Sequence, residues 1–506
     1  MTNSTRSPAS LGRTLLAIAA DRPAHPAVTT RSGSTSYREL ADGALRVAAA
    51  LTVQGLGLGD RIAILARNDL PYVELIYGAD FVGAVVVGIN CRLSPAEVAD
   101  ILDDCQPSLV FVADEYLPLL GSAAAGVLRV SLDRDYRTWC GTGDMTRFVP
   151  RVGYADSVVL MVYTSGTTGR SKGVRLTEAN ITAALAANRD VWFVGPEIRA
   201  LALFPLFNIS GSIFLLSILH VGGEVVIAEN ASGATILELL GARRITHALF
   251  VAAMIVALLD QPADDEIDLS SLRVLIYGAA PSSAAVIDRA MRRLPTCDFF
   301  QGYGMTETCG GIAMTPPHRY GEEIAPASVG RAIPSYEIRI VDPVRRTDLP
   351  VGVEGEIWAR GPQNTIGYWN RAEETDRLLA ADGWLRTGDV GVLDAAHNLY
   401  VVDRLKDMII SGGFNVYSLE VEQILVGHPD VGDAAVFGVP DERWGETVVA
   451  VVTLRPGATC VPADLSEFAR ARLAHFKCPR RIEILDELPR NAAGKILKRE
   501  LRGRFS

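Results

Sequence analysis

An α/β fold is predicted for this chain of 506 residues, and three patterns in it predict that class. Short apolar runs alternate with helix-length stretches over about the first four hundred residues. From about Ser328 the texture changes to short strands broken by Gly and Asp turns. After the run "DRLKD", helix and strand patterns continue for roughly a hundred residues, enough for a small domain. The expectation is a large N-terminal domain built on parallel sheets, a small barrel or antiparallel sheet at its end, and a small α+β C-terminal domain.

Each element follows from its local pattern. Near the N-terminus "TLLAIAA" reads as an amphipathic first helix rather than a secretion signal, because it is short and leads directly into charged and Pro-rich sequence. "RIAILA" then "PYVELIYGADFVGA", and "AVVVGIN" then "SPAEVADILDDC", read as strand–helix pairs. "LVFVA", "RALALFP", "EVVIA", "HALFV" and "RVLIYG" continue the series, and buried strands separated by crossover helices imply parallel pairing. The most apolar region is "IRALALFPLFNISGSIFLLSILHVGG", which Pro205, Asn208, Ser210 and Gly211 interrupt. A membrane span needs roughly 20 consecutive apolar residues, so this region is expected to be buried core and no transmembrane segment is expected.

"EIRIVD", "GEIWARG" and "GWLRTGDVGVLDAAHNLYVVD" read as the short strands of the barrel or antiparallel sheet. Beyond them come a helix ("SLEVEQILVGHP"), strands ("DAAVFGVP", "TVVAVVTLRP"), a helix ("ADLSEFARARLAHF") and a basic tail. Charge and pattern place the boundary at Arg404–Asp407, dividing the chain into residues 1–403 and 404–506. No internal repeat or low-complexity linker is evident.

Composition excludes several classes of function. Hydrophobic residues make up 49% and charged ones 21%, the balance of a globular chain, and the length calls for two or more domains. A net charge of -10 argues against a nucleic-acid backbone as the main partner. The seven cysteines (91, 105, 140, 297, 309, 460 and 478) are scattered without a CxxC pair. That suits apolar filler in a reducing cytoplasm, and neither a disulfide framework nor a zinc site is expected.

Chemistry concentrates in a few stretches. "YTSGTTGRSKG" leaves the apolar run "SVVLMVY" and resembles a phosphate loop without the frame of the common one. Its glycines let backbone N–H groups approach an anion, Thr164, Ser165, Thr167 and Thr168 add hydroxyl donors, and Lys172 can neutralise phosphate charge. "FFQGYGMTET" (residues 299–308) combines two close glycines that give a bend, a flat face in Tyr303, a donor in Thr306 and a hard carboxylate oxygen in Glu307 suited to Mg²⁺. Asp389 of "WLRTGD" can accept hydrogen bonds from both hydroxyls of a ribose. Arg404 follows in "YVVDRLKD", and "LPRNAAGKILKREL" places Lys495 in a loop before a basic helical end. Taken singly, each of these last residues reads as surface charge sooner than as a site.

Together and in this order, "YTSGTTGRSKG", "YGMTET", "RTGD", "DRLKDMIISGGFNVYSLEVE" and "PRNAAGKILKREL" resemble the adenylate-forming superfamily of AMP-dependent acyl- and aryl-CoA synthetases. The resemblance runs from "SYRELADGALRVAAAL" to Lys495. It implies doubly wound sheets and a small β-barrel in the large domain, with a C-terminal domain that rotates about a hinge. It also implies ATP, Mg²⁺ and CoA as the required small molecules. A carboxylate would attack the α-phosphorus of ATP, expel pyrophosphate, and pass from the acyl-adenylate to a thiol.

By matching position, the resemblance implies that Thr164, Ser165, Gly166, Thr167, Thr168 and Gly169, with Lys172, hold the phosphates. Gly278, Ala279, Ala280 and Pro281, with Tyr303, would enclose adenine, and Gln301, Gly302, Gly304 and Met305 would also contact ATP or AMP. Thr306 would bond the α-phosphate, Glu307 would bind Mg²⁺, and Asp389 with Arg404 would hold the ribose. Lys495 would bridge the attacking carboxylate and the α-phosphate. Lys406 aligns with the hinge. Ser411, Gly412, Gly413 and Phe414 would line the pantetheine channel, while Trp444 and Phe476 match CoA contacts in some relatives and read equally as packing. Phe204, Phe207, Asn208, Gly211, Ala252, Ala280 and Ile312 would form the acyl pocket. Asn208 stands where many relatives carry His, and Ala252 where Pro is common, so a substrate-specific role and tolerated drift both fit them.

The leading expectation is an AMP-forming acid–thiol ligase acting on an aromatic or medium-length hydrophobic acid, with a homodimer as a candidate assembly. The nearest alternative is a standalone adenylating enzyme that passes the acyl group to a separate carrier protein or to a non-thiol nucleophile. A catalytically silent nucleotide-binding protein is the third reading, disfavoured by the retention of Lys495, Glu307 and Asp389.

Overall fold

The computed structural model describes residues 10–505 apart from 122–125, 147, 152–154, 165–170, 229–231, 263–266, 279–283, 320–327, 412–413, 442 and 492–493. Contacts group the chain into two compact units: Met1–Ile338 with Ala359–Leu385, and Arg339–Trp358 with Arg386–Ser506. The Arg404–Asp407 segment lies inside the second unit.

The first unit is built on two sheets. In the larger, strands Pro26–Thr30, Glu224–Ile227, Arg199–Ala202, His247–Phe250, Val274–Gly278 and Asp298–Met305 lie side by side in parallel. Antiparallel strands complete it at both edges, giving nine in all. The smaller sheet has six strands, five of them parallel, and ends in an antiparallel hairpin of Val158–Thr164 with Lys172–Thr177. A shared apolar core includes residues of both sheets and of helices Tyr37–Val53, Leu70–Asp80, Glu178–Val191 and Ile209–His220.

Local sequence explains the helix ends. Ser36 and Glu39 form a capping box, as do Ser94 and Glu97 at the helix Pro95–Cys105, each satisfying amide donors that a helix start leaves open. Helix Ile209–His220 is buried on nearly all sides, as its largely apolar sequence anticipates. Among the described residues no helix is long and apolar enough to cross a membrane. All seven cysteines are free thiols, and six of them are buried.

The first helix, Leu11–Asp21, docks through its N-terminal amides onto two carboxylates. Leu11 N donates to Glu178 Oε1 at 3.0 Å and Gly12 N to Asp80 Oδ2 at 2.9 Å. Burial, and then the nearby Glu178 charge, push Asp80 up to about 8, the Gly12 bond opposing only in part. The folded state therefore holds the Asp80 proton more tightly than the unfolded chain. That stabilisation is complete below about 4 and is lost as pH rises toward about 8. Asp80→Asn is expected to remove this slope and to be more stable than the parent at pH 8.5 by on the order of a few kcal/mol. Urea unfolding at pH 5 and pH 8.5 measures it, and an unchanged pH dependence in the variant contradicts the assignment.

The second unit holds most of a four-stranded sheet in the order Glu337–Val341, Gly355–Arg360, Leu385–Leu393, Leu399–Arg404. The C-terminal α+β part carries a five-stranded sheet, in which the long strand Gly445–Leu454 pairs antiparallel with the edge strand Val431–Asp441. Helices Ser418–Val426, Pro462–Arg470 and Lys498–Phe505 belong to this part. The sequence pattern extends the second of these helices to Phe476. The structure ends it at Arg470 and forms a separate 3₁₀ turn, His475–Lys477, where Lys477 Nζ pairs with Glu420 at 2.7 Å.

Candidate functional site

In the larger sheet, the residues expected to contact base and acyl group come from the ends of neighbouring parallel strands. Phe204, Phe207 and Asn208 follow Arg199–Ala202, Ala252 follows His247–Phe250, and Gly278 ends Val274–Gly278 beside Gly302. Carboxyl ends of parallel strands are where open α/β sheets bind ligands, because loops diverge there and leave a crevice. Gly278 is required at its place: a β-carbon there would lie 2.4 Å from the Gly302 carbonyl oxygen.

The stretch "FFQGYGMTET" is a strand through Met305 rather than a loop. The two glycines do not bend it away from the sheet; they let it pair closely on both sides. Its partners are Val274–Gly278 in parallel and Gly310–Met314 in antiparallel, with a register shift between Tyr303 and Gly304. A β-carbon on Gly304 would sit 2.0 Å from the Gly310 carbonyl oxygen, so only glycine admits this approach. Gln301 is fixed by its amide, which donates to Thr315 Oγ1 at 2.8 Å. The chain then tightens into a 3₁₀ turn, Thr306–Thr308, that ends in Cys309 with φ 51°. Thr308 holds the turn: its hydroxyl contacts the carbonyls of Met305 and Gly310 at 3.0 and 2.7 Å and receives the Met305 amide at 3.0 Å.

Glu307, only 6% exposed, projects from this turn, and Tyr368 donates its hydroxyl to Glu307 Oε1 at 2.8 Å. The Tyr368 ring also carries Lys172 Nζ, 5.1 Å from its centroid. Lys172 is the Cα partner of Thr164, so the two ends of the glycine-rich loop are fixed opposite one another in the hairpin. Ser165, Gly166, Thr167, Thr168 and Gly169 lie outside the described residues, as do Ala279, Ala280, Pro281, Gly412 and Gly413.

The segment 365–369 binds these parts together. Thr365 N donates to Glu307 O at 2.8 Å, and Thr365 Oγ1 donates to Arg175 O at 2.6 Å. Arg175 N donates to Gly367 O at 3.1 Å, and Trp369 N to Gly173 O at 2.8 Å. Asp104 anchors the outer side, accepting from Tyr163 at 2.6 Å and pairing with Arg371 at 2.7 Å. Sequence reasoning passed over "TIGYWNR", although its adjacent aromatics in a Gly/Asn setting are an available signal.

The acyl-pocket candidates form part of a wall. Phe207 packs over Gly88, which ends a strand of the smaller sheet. Asn68, missed from sequence and buried, clamps the loop with both ends of its amide: Nδ2 donates to Phe204 O at 2.6 Å and Oδ1 accepts Leu206 N at 2.7 Å. Gly211 lies against the Pro205 carbonyl, and Ile312 is fully buried in the shared core. Asn208 stands at the start of helix Ile209–His220 but makes no side-chain cap bond, and Ala252 opens helix Ala252–Leu259.

The second unit gathers its own set. Asp389 and Arg404 are opposite one another in register, with Arg404 Nε 3.6 Å from Asp389 Oδ1. Lys495 sits in the turn before the last helix, where its amide donates to Asn491 Oδ1 at 2.9 Å. Its side chain still meets solvent. Crowding by the surrounding protein, then the charges of Arg404 and Lys406, push its ammonium down to about 8, with Asp407 and Asp389 opposing. Burial also lowers Lys406. Asp403, again missed from sequence, accepts Ser418 Oγ at 2.8 Å and Leu419 N at 3.3 Å, and so caps the helix Ser418–Val426. Ser418 receives Lys498 Nζ at 2.7 Å, and Lys498 pairs with Glu422 at 2.7 Å.

Ser411 is buried and pairs in register with both Phe414 and Gly445. Phe414 is exposed, and its ring lies 4.8 Å from that of Phe476. Trp444 carries two guanidinium groups, Arg443 at 4.8 Å and Arg480 at 4.4 Å from its ring centre.

Comparison with known proteins gives a consistent picture. The model of the AMP-binding enzyme family matches residues 16–369, and that of the AMP-binding enzyme C-terminal domain matches 420–495. A feruloyl-CoA synthase from an Amycolatopsis species is 38% identical over 489 residues, covering 95% of this chain and 96% of that protein. The fatty acid–[acyl-carrier-protein] ligase ScoC of Streptomyces coeruleorubidus is 36% identical over 492 residues, covering 96% and 94%. Among solved structures, ATP-bound MatB from Rhodopseudomonas palustris superposes with a TM-score of 0.89 at 30% identity, over 98% of both chains.

Proposed function

Since the chain belongs to the AMP-binding enzyme family and is an acid–thiol ligase of the acyl-CoA synthetase type, we propose that the residues described above carry out two successive half-reactions. In the first, a carboxylate oxygen of the acid attacks the α-phosphorus of ATP. The bond from that phosphorus to pyrophosphate breaks, leaving an acyl-adenylate. In the second, a thiolate attacks the acyl carbonyl and AMP leaves. The observation that carries this reading is Lys495, an ammonium placed among Arg404, Lys406, Asp407 and Asp389. Bringing two anions together is the main obstacle in the first step, and a fixed cation at the reacting oxygens lowers it.

Thr164 to Gly169, with Lys172, hold the pyrophosphate end of ATP. Gly278 to Pro281, Gln301 to Met305 and the face of Tyr303 take adenine, Thr306 bonds the α-phosphate, and Asp389 with Arg404 takes the ribose. Mg²⁺ suits Glu307: the carboxylate offers hard oxygen, is shielded from bulk water and is held at one oxygen by Tyr368, and this ion is ordinarily bound by one or two carboxylates together with substrate phosphates. When bound there, the ion neutralises phosphate charge. Lys406 is the turning point about which the C-terminal residues move between the half-reactions.

CoA is favoured as the thiol by Trp444 with Arg443 and Arg480 against its ring, close in register to Ser411. A flat ring with two guanidinium groups suits a nucleotide with its phosphates. A carrier protein is the second reading, supported by the likeness to ScoC. Phe204, Phe207, Asn208, Gly211, Ala252, Ala280 and Ile312 line the acyl site, and the apolar wall of Phe204, Phe207, Ala280 and Ile312 suits an aromatic or medium-length hydrophobic acid. The seven free thiols suit a reducing cytoplasm.

The test is pyrophosphate release across a panel of carboxylic acids with ATP and Mg²⁺, followed by CoA and mass detection of thioester. Pyrophosphate and acyl-CoA together are expected. Adenylate that persists in CoA but is consumed by a phosphopantetheinylated carrier supports the second reading. Release of pyrophosphate with none of the acids overturns the proposal.

A further inference from the structure

We propose that Tyr368 is a positioning residue that sets the metal-binding carboxylate and the phosphate-binding ammonium at the same time, and keeps them from neutralising each other. The inference rests on the reading of Glu307 as the Mg²⁺ ligand and of Lys172 as a phosphate contact. One side chain meets both: its hydroxyl donates to Glu307 Oε1 at 2.8 Å, and its ring face lies 5.1 Å from Lys172 Nζ.

Chemistry explains why tyrosine suits this place. A lysine and a glutamate free to meet would form an ion pair, and each would then have to be pulled from the other before it could serve ATP. An aromatic face attracts an ammonium without supplying a counter-charge. A phenolic hydroxyl fixes one carboxylate oxygen without competing for a cation. The ring thus acts as a spacer between two opposite charges.

The backbone makes the spacer rigid. The Val174–Tyr368 bridge ties it to the strand that begins at Lys172. Thr365 N holds the Glu307 carbonyl at 2.8 Å, and Tyr368 N donates to Thr375 Oγ1 at 3.0 Å. Asp104 accepts the Trp369 indole N–H at 3.0 Å through its carbonyl and secures the next residue. Groups that orient a metal ligand commonly matter almost as much as the ligand, at roughly 10- to 100-fold in metal affinity.

Calorimetry of ATP binding with and without Mg²⁺, in the absence of any carboxylic acid, isolates the effect from turnover. The readout is the gain in ATP affinity that Mg²⁺ brings. Tyr368→Phe is expected to reduce that gain roughly tenfold while leaving metal-free ATP affinity unchanged, because the ring remains for Lys172. Tyr368→Leu is expected to weaken metal-free binding as well. Glu307→Asp keeps the charge but draws it back from the hydroxyl, probing the same bond without altering Tyr368, and should reproduce the Tyr368→Phe loss. In a Glu307→Gln background, Tyr368→Phe should change nothing further.

Retention of the full gain in Tyr368→Phe, with its loss in Glu307→Gln, overturns the positioning role and leaves the Glu307 assignment standing. Retention of the gain in Glu307→Gln overturns that assignment and this inference with it. Equal metal-free affinities in the Phe and Leu variants overturn the spacer role toward Lys172.

Discussion

Lys495→Ala is expected to slow ATP-dependent pyrophosphate release by roughly 10²–10³-fold, the usual loss when one preorganised group facing developing charge is removed. Thioester formation from supplied acyl-adenylate and CoA should fall far less, since that step forms no bond at the α-phosphorus. Equal losses in the two half-reactions contradict the assigned role. The same residue sets a pH limit. In the proposed role the ammonium is the working form, and with its pKa pushed down to about 8 in the free enzyme, kcat/KM for ATP should decline as pH rises through about 8. Lys406→Met removes one of the two like charges that depress Lys495 and should move this decline to higher pH. A profile unmoved by that substitution means the decline belongs to another group.

The second large effect is expected at a residue with no functional group. Gly304→Ala places a β-carbon 2.0 Å from the Gly310 carbonyl oxygen, a backbone atom that cannot rotate away. The strand must shift, and it carries Tyr303 on one side of the substitution and the Thr306–Thr308 turn on the other. Overpacking of this kind costs typically about 1–3 kcal/mol. Displacement of about 1 Å at reacting groups can cost roughly 10²-fold in rate. Unfolding in urea and pyrophosphate release, measured on the same preparation, check both. A variant with parental stability and rate means the strand tolerates a wider spacing than the pairing indicates.

Legibility in the sequence differed by the kind of signal a residue leaves. The strand–helix alternation marked the parallel strands because burial on both faces demands continuous apolar runs, and helix starts such as Ser94–Glu97 were written in capping residues. The glycines of "GYGMTE" were noticed, but their meaning was not: spaced glycines signal either a bend or a close approach, and only the pairing with Gly278 and Gly310 distinguishes the two. Lys495, Asp389 and Arg404 stand out only in the pattern of the whole chain, since an isolated charge carries no mark of its role. Asn68, Tyr368 and Asp403 were missed for one reason. Each acts by reaching a residue well removed in the sequence, and nothing local to "RND", "GYW" or "VDR" encodes the partner.

The Asp403–Ser418 bond has a further consequence. The two residues lie on opposite sides of Lys406 in the chain, and their hydrogen bond closes a loop around that position. If the chain turns at Lys406, the loop must open: the Asp403 carboxylate leaves the first turn of the helix, and Lys498 and Glu422 lose a neighbour in the same event. The bond would then work as a latch, and its strength would govern how often the enzyme changes hands between its two reactions.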